Sequence, residues 1–499
     1  MPSLDLLLLI GAVVALVAIF AARLGSTFGL PSLLLFLALG MAIGDSGLGV
    51  RFSDAELAHS LGFAALVVIL AEGGLTTKWE NIRGSIKPAG ALATIGIAAS
   101  IGLMALFGHY VLSLSWSVSF LLGAITAPTD SAAVFSVLRG LPLPSSVRAT
   151  LEAESGLNDA PTVLMVAAMT ALATGHEPHG GLLGLAALIV VELAGGIALG
   201  LATGFLGVFV MRRIALPNSG LYPLAALAWA VAAYGTGVAV HVSGFAAVYI
   251  CALILGNGQL PHRHAVRSFA EGIGWIAQIG LFVMLGLLAS PSRLTWATIA
   301  TGLAAGLFLT FIVRPLSVIA SVSWFRVPAS EQLFLSWAGL RGAVPIILAT
   351  VPMAARVPNA DDLFDVVLVF VVVFTAVQAP TLPWVARKLG LSDPSAASDV
   401  DIEAAPLDKI NADLLQIRVP EGSRLAGVAV SELRLPVNAV VSLIIRAGVS
   451  FAPNGRDVLR AHDELLIVTP KEGRRIVETR LTEIGRGGRL ARWKGVRAE

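Results

Sequence analysis

Charge is scarce in this chain of 499 residues. Asp, Glu, Lys and Arg together make 13%, about half the roughly 25% of a soluble globular domain. That scarcity excludes a soluble enzyme and a disordered chain, both of which need water-facing charge. The net charge is only +2, so there is no basic footprint for a nucleic acid. One cysteine, Cys251, excludes a disulfide framework and any cysteine-ligated metal site. In place of charge the chain has 56% hydrophobic residues and 51 glycines, with mean hydropathy +0.83. Glycine is more frequent in transmembrane helices than in soluble ones. What remains is a polytopic membrane protein.

From Leu4 to about Arg387 the sequence is a series of apolar runs of roughly 20 residues, the length that crosses the hydrocarbon core as a helix. A lipid-exposed backbone must satisfy its own hydrogen bonds, which favours helices. The runs do not alternate, which excludes a β-barrel. The pattern predicts thirteen spans near 4–23, 30–44, 57–75, 88–108, 115–138, 146–173, 182–211, 220–238, 243–256, 269–290, 295–322, 330–355 and 363–387. Those at 30–44 and 243–256 are short enough to be tilted or partly re-entrant. The first run is not read as a signal peptide, since no Lys or Arg precedes it and Asp5 sits at its start.

Loop charge predicts the orientation. Alternate loops, starting after the first span, hold Arg23; Lys78, Arg83 and Lys87; Arg139 and Arg148; Arg212 and Arg213; Arg263 and Arg267; Arg326; and Arg387 and Lys388. The opposite loops hold Arg51, Arg293 and Arg356. Thirteen against three places the N-terminus outside and the C-terminus in the cytoplasm.

Beyond the membrane region, which ends near residue 388, residues 389–404 read as a polar linker containing Ser392-Asp393-Pro394-Ser395. Residues 405–475 read as one small α+β module, with strands at Leu414–Val419, Val440–Arg446 and Glu464–Val468 and a turn at Pro453-Asn454-Gly455. Residues 476–499 read as a solvated basic tail, with Arg480, Arg486, Arg489, Arg492, Lys494 and Arg497 in the chain's last twenty residues.

An ionisable group inside a span is costly and is a functional candidate by default. Asp130, Glu154, Asp159, Arg314 and Arg341 stand out, followed by Glu72, Glu152 and Glu192. Asp130 lies in Thr126-Ala127-Pro128-Thr129-Asp130-Ser131, where a mid-span proline removes a backbone hydrogen bond and breaks the helix. Freed carbonyls and helix ends then coordinate ions, as in discontinuous transporter helices. Thr129 and Ser131 add hydroxyl oxygens. In Glu152-Ala153-Glu154-Ser155-Gly156-Leu157-Asn158-Asp159, Ser155 and Asp159 share one helix face, and Glu154 and Asn158 share the next. This all-oxygen set suits a hard monovalent cation by the preference that hard divalent cations also show. With no His or Cys nearby, a transition metal is not expected. Burial disfavours a bare carboxylate, so a proton and a cation would compete to neutralise Asp159. One aspartate beside the neutral Asn158 predicts one proton per cation.

Arg314 in Val313-Arg314-Pro315-Leu316 and Arg341 in Gly339-Leu340-Arg341-Gly342 imply an acidic partner, for which Glu154 is the natural choice. Gly339–Pro345 marks a second broken helix, and paired breaks in two halves point to an inverted repeat with a midplane site. Three features are set aside. His176-Glu177-Pro178-His179 lacks the zinc-protease spacing. Gly195, Gly196 and Gly200 lie within a span and read as helix packing. Trp79 and Trp384 read as interfacial anchors.

Together Thr126–Asp130, Glu152–Asp159, Arg314-Pro315-Leu316 and Gly339–Ala343 resemble the NhaP-type monovalent cation/proton antiporters, of the potassium/proton subtype. Eukaryotic sodium/proton exchangers belong to the same wider superfamily. The resemblance implies an all-α NhaA/NhaP-like fold of about thirteen helices, with inverted repeats and two crossing broken helices, followed by the α+β module. It implies a homodimer and elevator-like movement of a core domain. By position, Asp159 resembles the cation- and proton-binding carboxylate, with Asn158 beside it. Asp130, Thr129 and Ser155 resemble the other cation ligands. Glu154 resembles the partner of Arg314, Arg341 the second core arginine, and Glu72 an acid near the ion path. The run from Val419-Pro420-Glu421-Gly422-Ser423 through Asp463-Glu464-Leu465 resembles a TrkA-C (RCK-C) domain, which implies regulation by an unidentified small molecule. No Gly-x-Gly-x-x-Gly follows a strand, so NAD-type regulation is not expected, nor is any other cofactor.

The leading expectation is a K+/H+ antiporter of the cell (inner) membrane, with the lipid bilayer as its surroundings. Na+/H+ exchange on the same fold is the nearest alternative. A di-aspartyl intramembrane protease using Asp130 and Asp159, or a ligand-gated cation channel, are alternatives of other classes.

Overall fold

The computed structural model describes residues 4–28, 31–50, 52, 54–130, 133–134, 137, 143–175, 181–391, 401–407, 412–436, 438–470 and 472–488. The chain divides into two compact units, a helical one ending at Leu389 and a smaller one beyond it.

Helices overlie all thirteen predicted spans. They are α1 (Leu4–Phe28), α2 (Ser32–Ile43), α3 (Ala55–Thr76), α4 (Ile86–Tyr110), α5 (Trp116–Thr126), α6 (Ser145–Ala173) and α7 (Gly181–Arg213). They continue as α8 (Leu221–Ala239), α9 (Gly244–Asn257), α10 (Arg263–Leu288), α11 (Trp296–Phe325), α12 (Ala329–Trp337), α13 (Ala343–Ala354) and α14 (Ala360–Lys388). Among the described residues eight helices are long and apolar enough to cross a membrane, and five apolar helices are shorter. The two short spans are short helices, with 12 residues in α2 and 14 in α9.

The starts follow local chemistry. Asp54 accepts from Leu57 N at 2.9 Å, Ser115 from Val118 N at 3.4 Å and Ser243 from Ala246 N at 3.3 Å, satisfying orphan donors at the starts of α3, α5 and α9. Small residues set the packing. A Cβ on Gly196 would meet Ser243 O at 2.3 Å, and one on Gly200 would meet Ala247 O at 2.8 Å, so α7 lies against α9 as the glycine reading expects.

Two predicted spans are not continuous helices. The span at 115–138 is helical as α5 only to Thr126, with irregular backbone through Asp130, and Pro128 accounts for the stop. The span at 330–355 splits into α12 and α13 around residues 338–342. The run at 176–179 and Ser131 lie outside the described residues.

The smaller unit is a five-stranded antiparallel sheet of order β1-β2-β5-β3-β4 with one helix. Its strands are β1 (Asp401–Leu407), β2 (Ala412–Arg418), β3 (Val440–Arg446), β4 (Val449–Phe451) and β5 (Glu464–Pro470), and α15 spans Arg474–Gly487. Three strands match the sequence reading. β1 and β4 were not expected, and β1 begins inside the stretch read as linker. Pro406 lies in β1 at the sheet edge, where a missing donor is tolerated. The reading of residues 476–499 as a tail also needs correction, because Val477, Leu481 and Ile484 of α15 are fully buried in the same core as Leu415, Ile417 and Ile467.

Candidate ion-binding site

The break after α5 and the break between α12 and α13 lie against each other. Asp130 N donates to Leu340 O at 2.8 Å, joining the two irregular segments. Helix ends there carry unpaired backbone groups, amides at a start and carbonyls at a finish, and each finds the matching charge. Arg341 donates from Nε to Thr126 O, at the end of α5, at 3.2 Å and also bonds Gly339 O. Asp130 packs on the start of α13, so closely that a Cβ on Gly342 would stand 1.7 Å from Asp130 Oδ2. A carboxylate at a helix start and a cation at a helix end are both favourable. Thr375 Oγ1 donates to Arg341 O at 2.7 Å and fixes the turn.

Beside the crossing runs α6. Glu154 and Arg314 form a bidentate pair, Nη1 to Oε1 at 2.6 Å and Nη2 to Oε2 at 2.9 Å, with both side chains nearly solvent-free. Thr129 Oγ1 donates to Glu154 Oε1 at 3.2 Å, and Asn158 Nδ2 donates to Thr129 Oγ1 at 2.9 Å. One polar chain therefore runs Asn158, Thr129, Glu154, Arg314. Arg341 departs from the expectation that Glu154 would be its partner, since its hydrogen bonds go to backbone carbonyls.

The next face of α6 lines a cavity of about 120 Å³. Thr129, Asp130, Ser155 and Asp159 all reach it, together with Glu72 of α3 and Glu152 of α6. Asp159 Oδ1 is buried and accepts no hydrogen bond. Asn158 does not line the cavity but turns to Thr129, so among the described residues of the sequence-predicted ligand set it alone faces away. Pro161 lies inside α6 and supplies no amide donor. Thr162 Oγ1 donates to Asn158 O at 2.8 Å and to Asp159 O at 2.9 Å.

Sequence reasoning missed Tyr249 of α9 and Gln278 of α10, which also line this cavity. Each is a polar tip in an apolar run, a signal fainter than a charge. Tyr249 stands directly over Gly156, where a Cβ would fall 2.2 Å from the hydroxyl, so only glycine fits there. Gly274 serves Glu72 in the same way, with a Cβ 2.7 Å from Glu72 Cγ. Glu192 does not line the cavity, and its backbone carbonyl accepts from Ser243 N at 3.0 Å.

Residues 11–388 match the family described as sodium/hydrogen exchanger, transmembrane, and residues 414–481 match the TrkA-C domain. The chain is 35% identical over 478 residues to the K(+)/H(+) antiporter NhaP of Alkalimonas amylolytica, covering 94% of this chain and 82% of that protein. It is 33% identical over 473 residues to the K(+)/H(+) antiporter NhaP2 of Shewanella sp. strain MR-4, covering 93% of this chain and 81% of that one. The solved structure of the sodium proton antiporter MjNhaP1 from Methanocaldococcus jannaschii matches with TM-score 0.64 at 24% identity, over 75% of this chain and 100% of that chain. The chain therefore belongs to the sodium/hydrogen exchanger family, as a multi-pass membrane cation/proton antiporter, a secondary transporter and not an enzyme, that carries a TrkA-C domain after its membrane unit.

Proposed function

We propose that this antiporter exchanges cytoplasmic K+ for external H+, one for one, at Asp159. The observation that carries the reading is the buried, undonated Oδ1 of Asp159 in a cavity shared with Asp130, Thr129 and Ser155. A bare carboxylate sequestered from water is strongly unfavourable. Either a proton or an alkali cation neutralises it, and the two exclude each other. Asp130, Thr129 and Ser155 complete an oxygen shell for the cation. Asn158 acts one step back by holding Thr129, and Glu154 with Arg314 fixes α6 against the crossing. Glu72 lies on the cation's approach. Because the residue beside Asp159 is a neutral amide, each turnover trades a single proton for a single cation.

The choice of K+ rests on the names of relatives, K(+)/H(+) antiporters at 33 to 35% identity, and on the TrkA-C domain. Loop charge places the N-terminus outside and the TrkA-C domain in the cytoplasm, where a small regulatory molecule would reach it. The protein acts as a homodimer in the cell membrane, and no cofactor takes part. Proton movement in proteoliposomes, with K+ and Na+ offered separately, tests the subtype. K+ should support the larger flux. A larger Na+ flux would overturn the ion assignment while leaving the site intact.

A further inference from the structure

A second cavity, of about 640 Å³, is walled by α6, α7 and α9 and by the short helix Trp79–Ile82. Its wall is mostly aliphatic, with Leu157, Leu201, Phe205 and Leu253 prominent, and no carboxylate lines it. Water has too few polar partners to settle in such a space, and an empty one forfeits dispersion contacts along its whole wall. Leu201 and Phe205 are 42% and 63% exposed on a membrane-spanning helix, so the cavity opens toward lipid tails.

One end of the cavity is polar. Trp79 N donates to Asn257 Oδ1 at 2.8 Å, and Asn257 Nδ2 donates to Thr77 O at 2.9 Å. Arg212, itself in the cavity wall, donates from Nε to Gln259 O at 3.2 Å. Arg263 Nε and Arg267 Nη2 donate to Gly256 O at 3.0 and 3.4 Å. Arg212 is in the cavity wall, while Arg263 and Arg267 stand behind that wall on the Gly256 carbonyl, with Lys78 adjoining Trp79 in the chain. A basic pocket between transmembrane helices recognises an anionic headgroup, and the aliphatic wall accepts a fatty chain.

We infer that this cavity binds one anionic phospholipid, with an acyl chain between α6, α7 and α9 and the phosphate on the Arg212 cluster. The inference does not depend on which cation is carried. Tyr249 lines both cavities, so the acyl chain packs on the far side of the residue that stands over Gly156. Lipid occupancy thereby bears on the wall of the ion site.

Delipidated full-length protein titrated with phosphatidylglycerol or phosphatidylcholine, read by native mass spectrometry, tests this. Phosphatidylglycerol should bind the more tightly. Arg212→Gln should weaken its binding about 5-fold, the share of one basic group at an anionic headgroup, and leave phosphatidylcholine unchanged. Leu201→Trp, which fills the cavity, should abolish retention of both lipids without changing oligomeric state. Equal affinity for the two lipids, or phosphatidylglycerol binding unchanged in both variants, would overturn the inference. A changed oligomeric state in Leu201→Trp with lipid binding intact would also overturn it, assigning the face to a second copy of the chain. Arg212→Gln keeps the test decisive if Leu201→Trp fails to fold.

Discussion

Adjacent residues on α6 divide the work of the ion site. Ser155 and Asp159 face the cavity, while Glu154 and Asn158 bind the crossing, a division that four-residue spacing on a helix makes readable in advance. Removing one partner of a buried pair leaves the other charge bare, at a cost of about 3–5 kcal/mol. Glu154→Gln should therefore lower thermal stability in detergent at least as much as it lowers transport, and adding Arg314→Met should restore most of the stability. Full stability with transport lost would give Glu154 a direct role in ion binding. Gly342→Ala drives a methyl group into Asp130. A misplacement of about 1 Å at a working group costs roughly 100-fold in rate, and cation-dependent proton flux should fall by that order while the protein still inserts. What spacing could not reveal is direction. Asn158 faces Thr129, Arg341 bonds carbonyls, and Tyr249 covers Gly156, and all three depend on where a neighbouring helix lies.

Breaks were the most readable feature at the level of elements. Pro128 and the Gly339–Pro345 run mark both interruptions, because a missing amide or a glycine cluster acts locally. β1, β4 and α15 were hidden for the opposite reason. β1 and β4 are edge strands held by pairing to a neighbour, and the basic residues of α15 mask the buried stripe of Val477, Leu481 and Ile484. Leu481→Ala should destabilise the small unit by about 2–5 kcal/mol, seen as faster hydrogen exchange in β5 with the membrane helices unaffected. The same unit carries an acid-sensitive contact. Arg446 binds Asp463 from Nε at 2.9 Å and Nη2 at 2.7 Å, and Arg460 N donates to the same carboxylate at 2.8 Å. Burial pushes the Asp463 carboxyl up, but these hydrogen bonds and the arginine charges outweigh it and hold the group below the usual carboxylate range. Its stabilisation is therefore complete above about pH 4, the unfolded value, and fades as the pH falls through the lower folded value. Hydrogen exchange of β3 and β5 should accelerate in that acid window in the wild type, and Asp463→Asn should remove that acid dependence.

The whole molecule was legible as a class before any contact was known, because little charge and long apolar runs leave only a membrane protein. The cavity between α3, α6, α9 and α10 was not, since its walls are gathered from separate helices spread between Leu33 and Val344. One-for-one exchange makes a prediction at this scale. An imposed membrane potential should barely drive K+-dependent proton movement, and strong voltage dependence would contradict the stoichiometry. The most direct test of Asp159 as the shared carboxylate is K+-dependent proton flux in proteoliposomes holding either the wild type or Asp159→Ala. Flux should be present in the first and absent in the second, with comparable thermal stability. Undiminished exchange without the Asp159 carboxyl would place the competition between proton and cation elsewhere.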